Sequence, residues 1–206
     1  MKFLKPSKGF LGLPKENKSK NKVHIIPFGL EKTVSYSSGT KNGPKKIIEA
    51  SHQVELFDEE LKLEPYKHFH IRTFQEEKIK SKIDDSLNQL TQIIDKSLNS
   101  NSFPLVLGGE HSITPAIVKS FAKKYSDLTV VQIDAHADLR DGYMGIKNSH
   151  AAAMRRCLDN KNVNIVSIGI RNLCQEEFNY FNKNKKRIEI FWGNEMSKWS
   201  MSKLSK

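Results

Sequence analysis

The stretch LTVVQIDAHAD, residues 128–138, joins an apolar strand pattern to a cluster of carboxylate and imidazole side chains. Its first six residues predict a buried β-strand. Asp134, His136 and Asp138 then alternate along the chain, and alternate residues of an extended segment share one face. Without a cation the two carboxylates would repel each other, so this arrangement favours a divalent metal ion. The stretch therefore predicts a metal site at the carboxyl end of a strand.

A second apolar run ends in polar residues in the same way. Phe103 to Leu107 predicts a buried strand, and Gly108-Gly109-Glu110-His111-Ser112 follows it directly. His111 is thus also expected at the carboxyl end of a strand, although taken alone it could cap the helix predicted to follow. For Glu110 we expect a role in supporting the metal ligands, with a surface carboxylate as the alternative.

Length and composition bound the class of protein. The chain has 206 residues, of which 37% are hydrophobic and 28% charged, as expected for one globular domain or a piece of a larger protein. No apolar run approaches the ~20 residues of a membrane span. Residues 1–22 form a basic extension without the apolar core of a secretory signal, so we expect a cytoplasmic protein. Cys157 and Cys174 lack disulfide or zinc spacing, which indicates free thiols.

The formal net charge of +11 raises nucleic acid as a partner. The excess lysine is nevertheless spread along the chain. Its densest runs, residues 15–22 and 183–187, carry few interleaved aromatic residues. This pattern favours a solvated surface, so we expect neither a nucleic-acid nor a membrane partner.

Apolar runs bounded by turn residues alternate with helical patterns, which is typical of an α/β fold with a mainly parallel sheet. The predicted strands are Val23–Phe28, Phe69–Phe74, Phe103–Leu107, Leu128–Ile133, Val163–Ile170 and Arg187–Trp192. One predicted helix lies within Gly39–Leu56. The other predicted helices are Glu76–Ser100, Ser112–Tyr125 and Ala151–Leu158, and the tail Asn194–Lys206 is compatible with one more.

Several motifs in a fixed order resemble the signature blocks of the ureohydrolase family, which includes arginases and agmatinases. They are GGEHS at 108–112, DAHADLRD at 134–141 and SHA at 149–151 followed by MRR at 154–156, with GT at 39–40, GP at 43–44 and EAS at 49–51 upstream. The resemblance is greatest to the agmatinase branch. It extends from Val23 to Trp192, and the ordered set is far more specific than any single motif.

This resemblance implies a three-layer α/β/α enzyme in which two Mn²⁺ ions assist hydrolysis of a guanidino group to urea and an amine. Asp134 would lie between the two metals. His111 and Asp138 would complete one site, and His136 would belong to the other. His150 matches the family's proton-shuttle histidine, a role that suits an imidazole because its pKa lies near neutrality. A homo-oligomer is implied for the complete enzyme.

The substrate differs among the branches of this family. For an agmatinase it is agmatine, which yields putrescine, whereas arginase or guanidinobutyrase types act on other guanidino compounds. Arg140, Asp141 and Tyr143 are expected at the substrate mouth from their loop position alone. Four further histidines match no family block, and structural roles are expected for them: His24, His52, His68 and His70.

The chain departs from the family pattern after its last predicted strand. Ureohydrolases continue to an S-x-D-x-D block that completes the metal pair, whereas here Glu195 is the only acidic residue after Trp192. The resemblance also implies that the missing strands belong between the strands leading to His111 and Asp134, which would otherwise stand about 14 Å apart. We therefore expect an agmatinase-like chain cut short at its C-terminus, with at most one weak Mn²⁺ site and little or no activity.

Two alternatives stay open beside a truncated enzyme. One is a non-catalytic ureohydrolase-like subunit. The other is a basic nucleic-acid-binding protein, which only the net charge supports.

Overall fold

The structure, a computed structural model, describes residues 2–200. It has an α/β fold with parallel sheets, as the sequence predicts. The chain forms two compact units that divide between Glu110 and His111. The strands are β1 Lys22–Phe28, β2 His70–Thr73, β3 Ser102–Gly108, β4 Leu128–Ile133, β5 Val163–Ile170 and β6 Ile188–Trp192. The α-helices are α1 Gly43–Ala50, α2 Ile83–Asn99, α3 Thr114–Lys124, α4 Ala153–Cys157 and α5 Gln175–Lys183.

The first unit contains a parallel sheet in the order β2-β1-β3. Helix α2 packs on β3, and α1 packs on β1 and β3. The basic extension also belongs to this unit, because Phe3 forms an antiparallel bridge with Phe74 and Leu13 is buried. The largest fully buried side chains here are Ile25, Ile26, Leu30, Leu90 and Ile94.

The second unit contains a parallel sheet in the order β4-β5-β6. Its core joins the inward residues of β5 to the short helix α4, and α3 packs against α4. The residues at the centre of this core include Ala153, Met154, Cys157, Val163, Ile165 and Ile170.

Two strands lie at sheet edges with apolar side chains exposed. Within the described residues, β3 pairs only with β1 and β4 pairs only with β5. The exposed fraction reaches 60% for Phe103 on β3, 60% for Val131 and 84% for Ile133 on β4. Parallel sheets are normally covered on both faces, so the exposure of these apolar side chains on edge strands is unusual. That further strands belong beside them stays a prediction.

Helix α2 begins later than its apolar periodicity predicts. It starts at Ile83 instead of Glu76, and Lys82 before it is extended. Asp84 and Asp85 occupy its first turn, where carboxylates stabilise the amino end of a helix. Ile79 keeps the helical spacing but lies outside the helix, so the predicted start was wrong.

Helix α5 is absent from the sequence prediction, since its only buried residue is the charged Glu177. It begins with a capping box in which Cys174 takes the usual place of Ser or Thr. The tail after β6 forms a 3₁₀ helix, Gly193–Lys198, and residues 201–206 lie outside the described residues. None of the helices in the described part of the chain is long and apolar enough to cross a membrane.

Candidate metal centre

Three side chains of the second unit meet where β4 ends. His111 Nδ1 lies 2.6 Å from Asp138 Oδ2 and 3.7 Å from Asp134 Oδ2. One ligand atom from each residue lies within 4.8 Å of the others, and the three side chains are partly or largely buried. The structure thus brings together three of the four side chains expected to bind metal.

His136, the fourth, points more toward solvent. Its Nδ1 lies 3.7 Å from Asp134 Oδ1, and nearly two thirds of its side chain is exposed. Its backbone N–H donates to the same Asp134 oxygen at 3.0 Å. Asp134 therefore has one carboxylate oxygen near His111 and the other near His136, as a residue lying between two ions would.

The loop that carries these residues is fixed by the segment following β5. Ala137 N–H donates to Asn172 O, while Asn172 N–H donates to Ala135 O. Gly169 has a positive φ of 88° and passes close to the Asp134 carbonyl, a conformation that favours glycine. No sequence pattern predicts this pairing of the two loops.

Buried polar side chains provide further anchors. Gln132, on β4, donates to His136 O at 3.0 Å and accepts from Ser167 Oγ at 2.7 Å. Glu177, which is 4% exposed, accepts from the backbone N–H of Leu139 at 3.0 Å and of Cys174 at 2.7 Å. Both carboxylate oxygens thus tie the loop after Asp138 to the start of α5.

Asp138 adopts a left-handed backbone conformation, with φ of 50°. Aspartate tolerates this region better than most residues do. Its carbonyl accepts from the N–H groups of Met154 and Arg155 at the start of α4. The left-handed backbone at Asp138 therefore places its carboxylate beside His111 and its carbonyl at the start of α4.

His150 begins a 3₁₀ helix that packs against the 3₁₀ helix containing His111. Its ring meets that of Tyr143 edge to face, with 5.8 Å between ring centres. The guanidinium of Arg140 lies 5.2 Å from the centre of the Tyr143 ring. The proton-shuttle candidate and two substrate-mouth candidates are therefore neighbours.

Asp141 is engaged by two arginines. Its Oδ1 accepts from Arg156 at 2.9 Å and lies 3.3 Å from Arg155 Nε. The hydrogen bond from Arg156, followed by the charge of Arg155, holds the pKa of the Asp141 carboxyl below its usual value. Through these two arginines of α4, the Asp141 side chain anchors α4 to the loop after Asp138.

Glu110 is buried in the first unit, so the alternative of a surface carboxylate is wrong. It accepts from the N–H groups of Lys32 and Thr33 and from the Thr33 hydroxyl, at 2.7 to 2.9 Å. Gly109 before it runs so close to the Leu30 carbonyl that a Cβ would clash. Within this unit, these two motif residues hold the loop after β1.

Comparison with known proteins identifies the fold's family. The model of the arginase family matches residues 21–206, nearly the whole chain. The chain belongs to the arginase family. Among relatives of this family, the chain is 35% identical to N(1)-aminopropylagmatine ureohydrolase of Synechocystis sp. over 181 residues. It is 36% identical to agmatinase of Bacillus cereus over 163 residues.

Structural comparison agrees with the sequence. The crystal structure of agmatine ureohydrolase of Thermoplasma volcanium matches with a TM-score of 0.72 and 27% identity, over 91% of this chain and 61% of that one. The two curated relatives match 85% and 78% of this chain. The chain spans only 58% and 56% of their lengths.

The cluster of this arginase-family chain suits a divalent metal in its donor chemistry. Imidazole nitrogen and carboxylate oxygen are ligands that Mn²⁺ accepts. His111, Asp134 and Asp138 supply three of the roughly six positions that such an ion fills. Gln132 and Glu177, which hold the loop, escaped sequence reasoning because no family block contains them.

Proposed function

We propose that this chain is an agmatinase-like ureohydrolase that hydrolyses the guanidino group of agmatine to urea and putrescine. The observation that carries the proposal is the meeting of His111, Asp134 and Asp138 at the end of β4. Similarity to a ureohydrolase and an agmatinase above 30% identity supports the same class. An arginase-type or guanidinobutyrase-type substrate is the alternative within this class.

The proposal assigns a role to each residue. His111, Asp134 and Asp138 would hold one Mn²⁺, and Asp134 with His136 would contribute to a second. Bound Mn²⁺ supplies Lewis-acid activation of water. The His150 imidazole would carry a proton between solvent and the leaving amine nitrogen. Three residues would line the substrate mouth: Arg140, Asp141 and Tyr143.

Because these ligands are few, we expect at most one weak Mn²⁺ site and slow turnover in this chain. No S-x-D-x-D block is present in the 206 residues, so the second ion would have only two side-chain ligands. We further propose a cytoplasmic, homo-oligomeric protein that takes a small guanidino substrate and has neither a membrane nor a nucleic-acid partner.

A non-catalytic ureohydrolase-like subunit is the second candidate. The observation that favours it is the exposed apolar edge of β4, with Val131 and Ile133 at its surface. An edge of this kind suits association with another chain. This candidate keeps the fold but predicts no metal-dependent urea release.

The decisive experiment combines Mn²⁺ titration calorimetry with urea release from agmatine, arginine and 4-guanidinobutyrate. We expect Asp134→Asn to weaken Mn²⁺ binding by at least about tenfold, since it removes the carboxylate shared by both histidines. Asp127→Asn is the matched control, because Asp127 is an exposed aspartate at the other end of β4. Equal Mn²⁺ affinity in the two variants would refute the site.

His150→Asn separates metal binding from catalysis. We expect it to leave Mn²⁺ affinity unchanged while any urea release falls by about 10²-fold, the scale of a general acid–base contribution. Mn²⁺ binding without urea release from any of the three substrates would favour the non-catalytic subunit. Two tight Mn²⁺ sites would contradict the expectation of an incomplete site.

A further inference from the structure

Four basic side chains lie together at the amino ends of β1 and β2. They are Lys22 and His24 on β1 and His70 and Arg72 on β2, here called the basic cluster. The parallel register pairs Lys22 with His70 and His24 with Arg72. Residues two apart on a strand share a face, and neighbouring strands are about 4.8 Å apart. All four side chains therefore project from one face of the first unit's sheet.

A cavity of about 180 Å³ opens between these side chains. The basic cluster lines it together with Phe3, Ser100 and Ser102. Drug-sized ligands occupy about 300 Å³ or more, so this cavity suits a smaller molecule. Its lining offers cations and hydroxyl donors around a space of that size.

Aromatic contacts hold the cavity's shape. The Arg72 guanidinium carbon lies 3.6 Å from the centre of the Phe3 ring, and Phe3 is fixed by its bridge to Phe74. The buried His24 contacts Ser97 Oγ through Nδ1 at 2.9 Å. The arginine is therefore oriented before any ligand arrives, which reduces the entropy cost of binding.

Among the described residues, a single carboxylate, that of Glu16, forms ion pairs with the basic cluster, which contains both Lys22 and Arg72. Glu16 lies 3.1 Å from His70 Nε2 and 3.3 Å from Arg72 Nε, and the latter atom is buried without a hydrogen bond. Burial and the charges of Arg72, His70 and Lys22 lower the pKa of His24 to about 4. A parallel-sheet face normally carries apolar residues, so four basic side chains on this face require a reason.

We propose that the cavity binds a tetrahedral oxyanion of the size of inorganic phosphate. Arg72 would donate to it from its planar fork, Lys22 would add a point charge, and the Ser102 hydroxyl would complete the contacts. Glu16 competes with the anion for Arg72 and His70 from the adjacent chain segment. The proposal is independent of the ureohydrolase assignment, because it uses other residues.

The test measures inorganic phosphate binding to the full chain by calorimetry, in chloride buffer of constant ionic strength. We expect saturable binding of one phosphate, competed by sulfate but not by acetate. Arg72→Gln should weaken it by at least about tenfold, as the loss of a charged hydrogen bond predicts. Lys46→Gln is the control, because Lys46 is an exposed lysine on α1 of the same unit.

Glu16→Gln gives the sharper result, since removal of a competing carboxylate should tighten phosphate binding. A nonspecific response to net charge would weaken phosphate binding equally in Arg72→Gln, Lys22→Gln and Lys46→Gln, because each of these variants loses one positive charge. Lys22→Gln serves if Arg72→Gln fails to fold, because Lys22 is exposed, and it too should weaken binding. Absence of binding, or equal affinities in Lys22→Gln and Lys46→Gln, would overturn the proposal.

Discussion

The metal-ligand candidates His111, Asp134 and Asp138, here called the acidic cluster, and the basic cluster on β1 and β2 are built by different means. The acidic one sits on a loop whose backbone is tied by Gln132 and Glu177. The basic one sits on the strands themselves, where the register alone sets its spacing. A site on a loop therefore depends on anchors elsewhere in the chain, whereas a site on strands depends on the sheet.

The largest expected effect comes from removing an anchor of the acidic cluster. Glu177→Ala leaves the N–H groups of Leu139 and Cys174 without their acceptor. At about 2 kcal/mol for each unsatisfied group, the free energy of unfolding should fall by about 4 kcal/mol. Urea denaturation at pH 7 measures this loss.

The neighbouring Glu176 provides the control. It is exposed and pairs with Arg155, so Glu176→Ala should cost less than about 1 kcal/mol. Equal losses in the two variants would mean that the loop does not depend on the buried carboxylate.

The second effect is a pH dependence in the basic cluster. The pKa of His24 is about 4 in the folded chain, below its ordinary value of 6.5. The unfolded chain therefore takes up a proton first, and stability present above pH 6.5 is lost as the pH falls toward 4. This difference corresponds to about 3 kcal/mol of unfolding free energy.

Urea denaturation between pH 7 and pH 4 isolates this contribution. His24→Gln should flatten the pH dependence, whereas His68→Gln should keep it because His68 is exposed. A slope that persists in His24→Gln would assign the effect to other groups.

The smallest effect concerns the exposed ion pairs beside the acidic cluster. The pKa of Asp141 is held below 3.8 by the Arg156 hydrogen bond and the Arg155 charge. Its stabilisation is present above about pH 3.8 and is lost as the pH falls below that value. Since Asp141 is largely exposed, salt and water screen these contacts.

Thermal unfolding of Asp141→Asn tests this ranking. At pH 7 and low salt its Tm should lie slightly below that of the wild type, and the gap should close at pH 2.5 or in 1 M salt, which shortens the Debye length to about 3 Å. A Tm loss larger than that of Glu177→Ala would reverse the comparison between buried and exposed anchors.

Local pattern predicts some of these elements better than others. The apolar runs placed Leu128–Ile133 and Val163–Ile170 at the bounds that β4 and β5 have. Helix α5 could not be found in this way, because its inward residue Glu177 is a carboxylate and periodicity counts apolar residues. A Cys-x-x-Glu capping pattern at Cys174 was the available signal.

The candidate sites show the same limit. His111, Asp134 and Asp138 were expected together because each follows a predicted strand, and their ligand atoms do converge. The basic cluster was missed because it needs the register of two strands far apart in sequence. His24 and Arg72 become neighbours only when β1 and β2 pair.

The two cysteines differ in solvent exposure, so alkylation of their thiols can report local opening of the second unit. Cys157 is fully buried in the core of the second unit, and burial raises the pKa of its thiol, so alkylating reagents should not reach a thiolate there. Cys174 is half-buried at the start of α5 and caps that helix. Its alkylation rate therefore reports how often the first turn of α5 opens. Because Glu177 joins this turn to the loop after Asp138, the same rate reports opening of that loop.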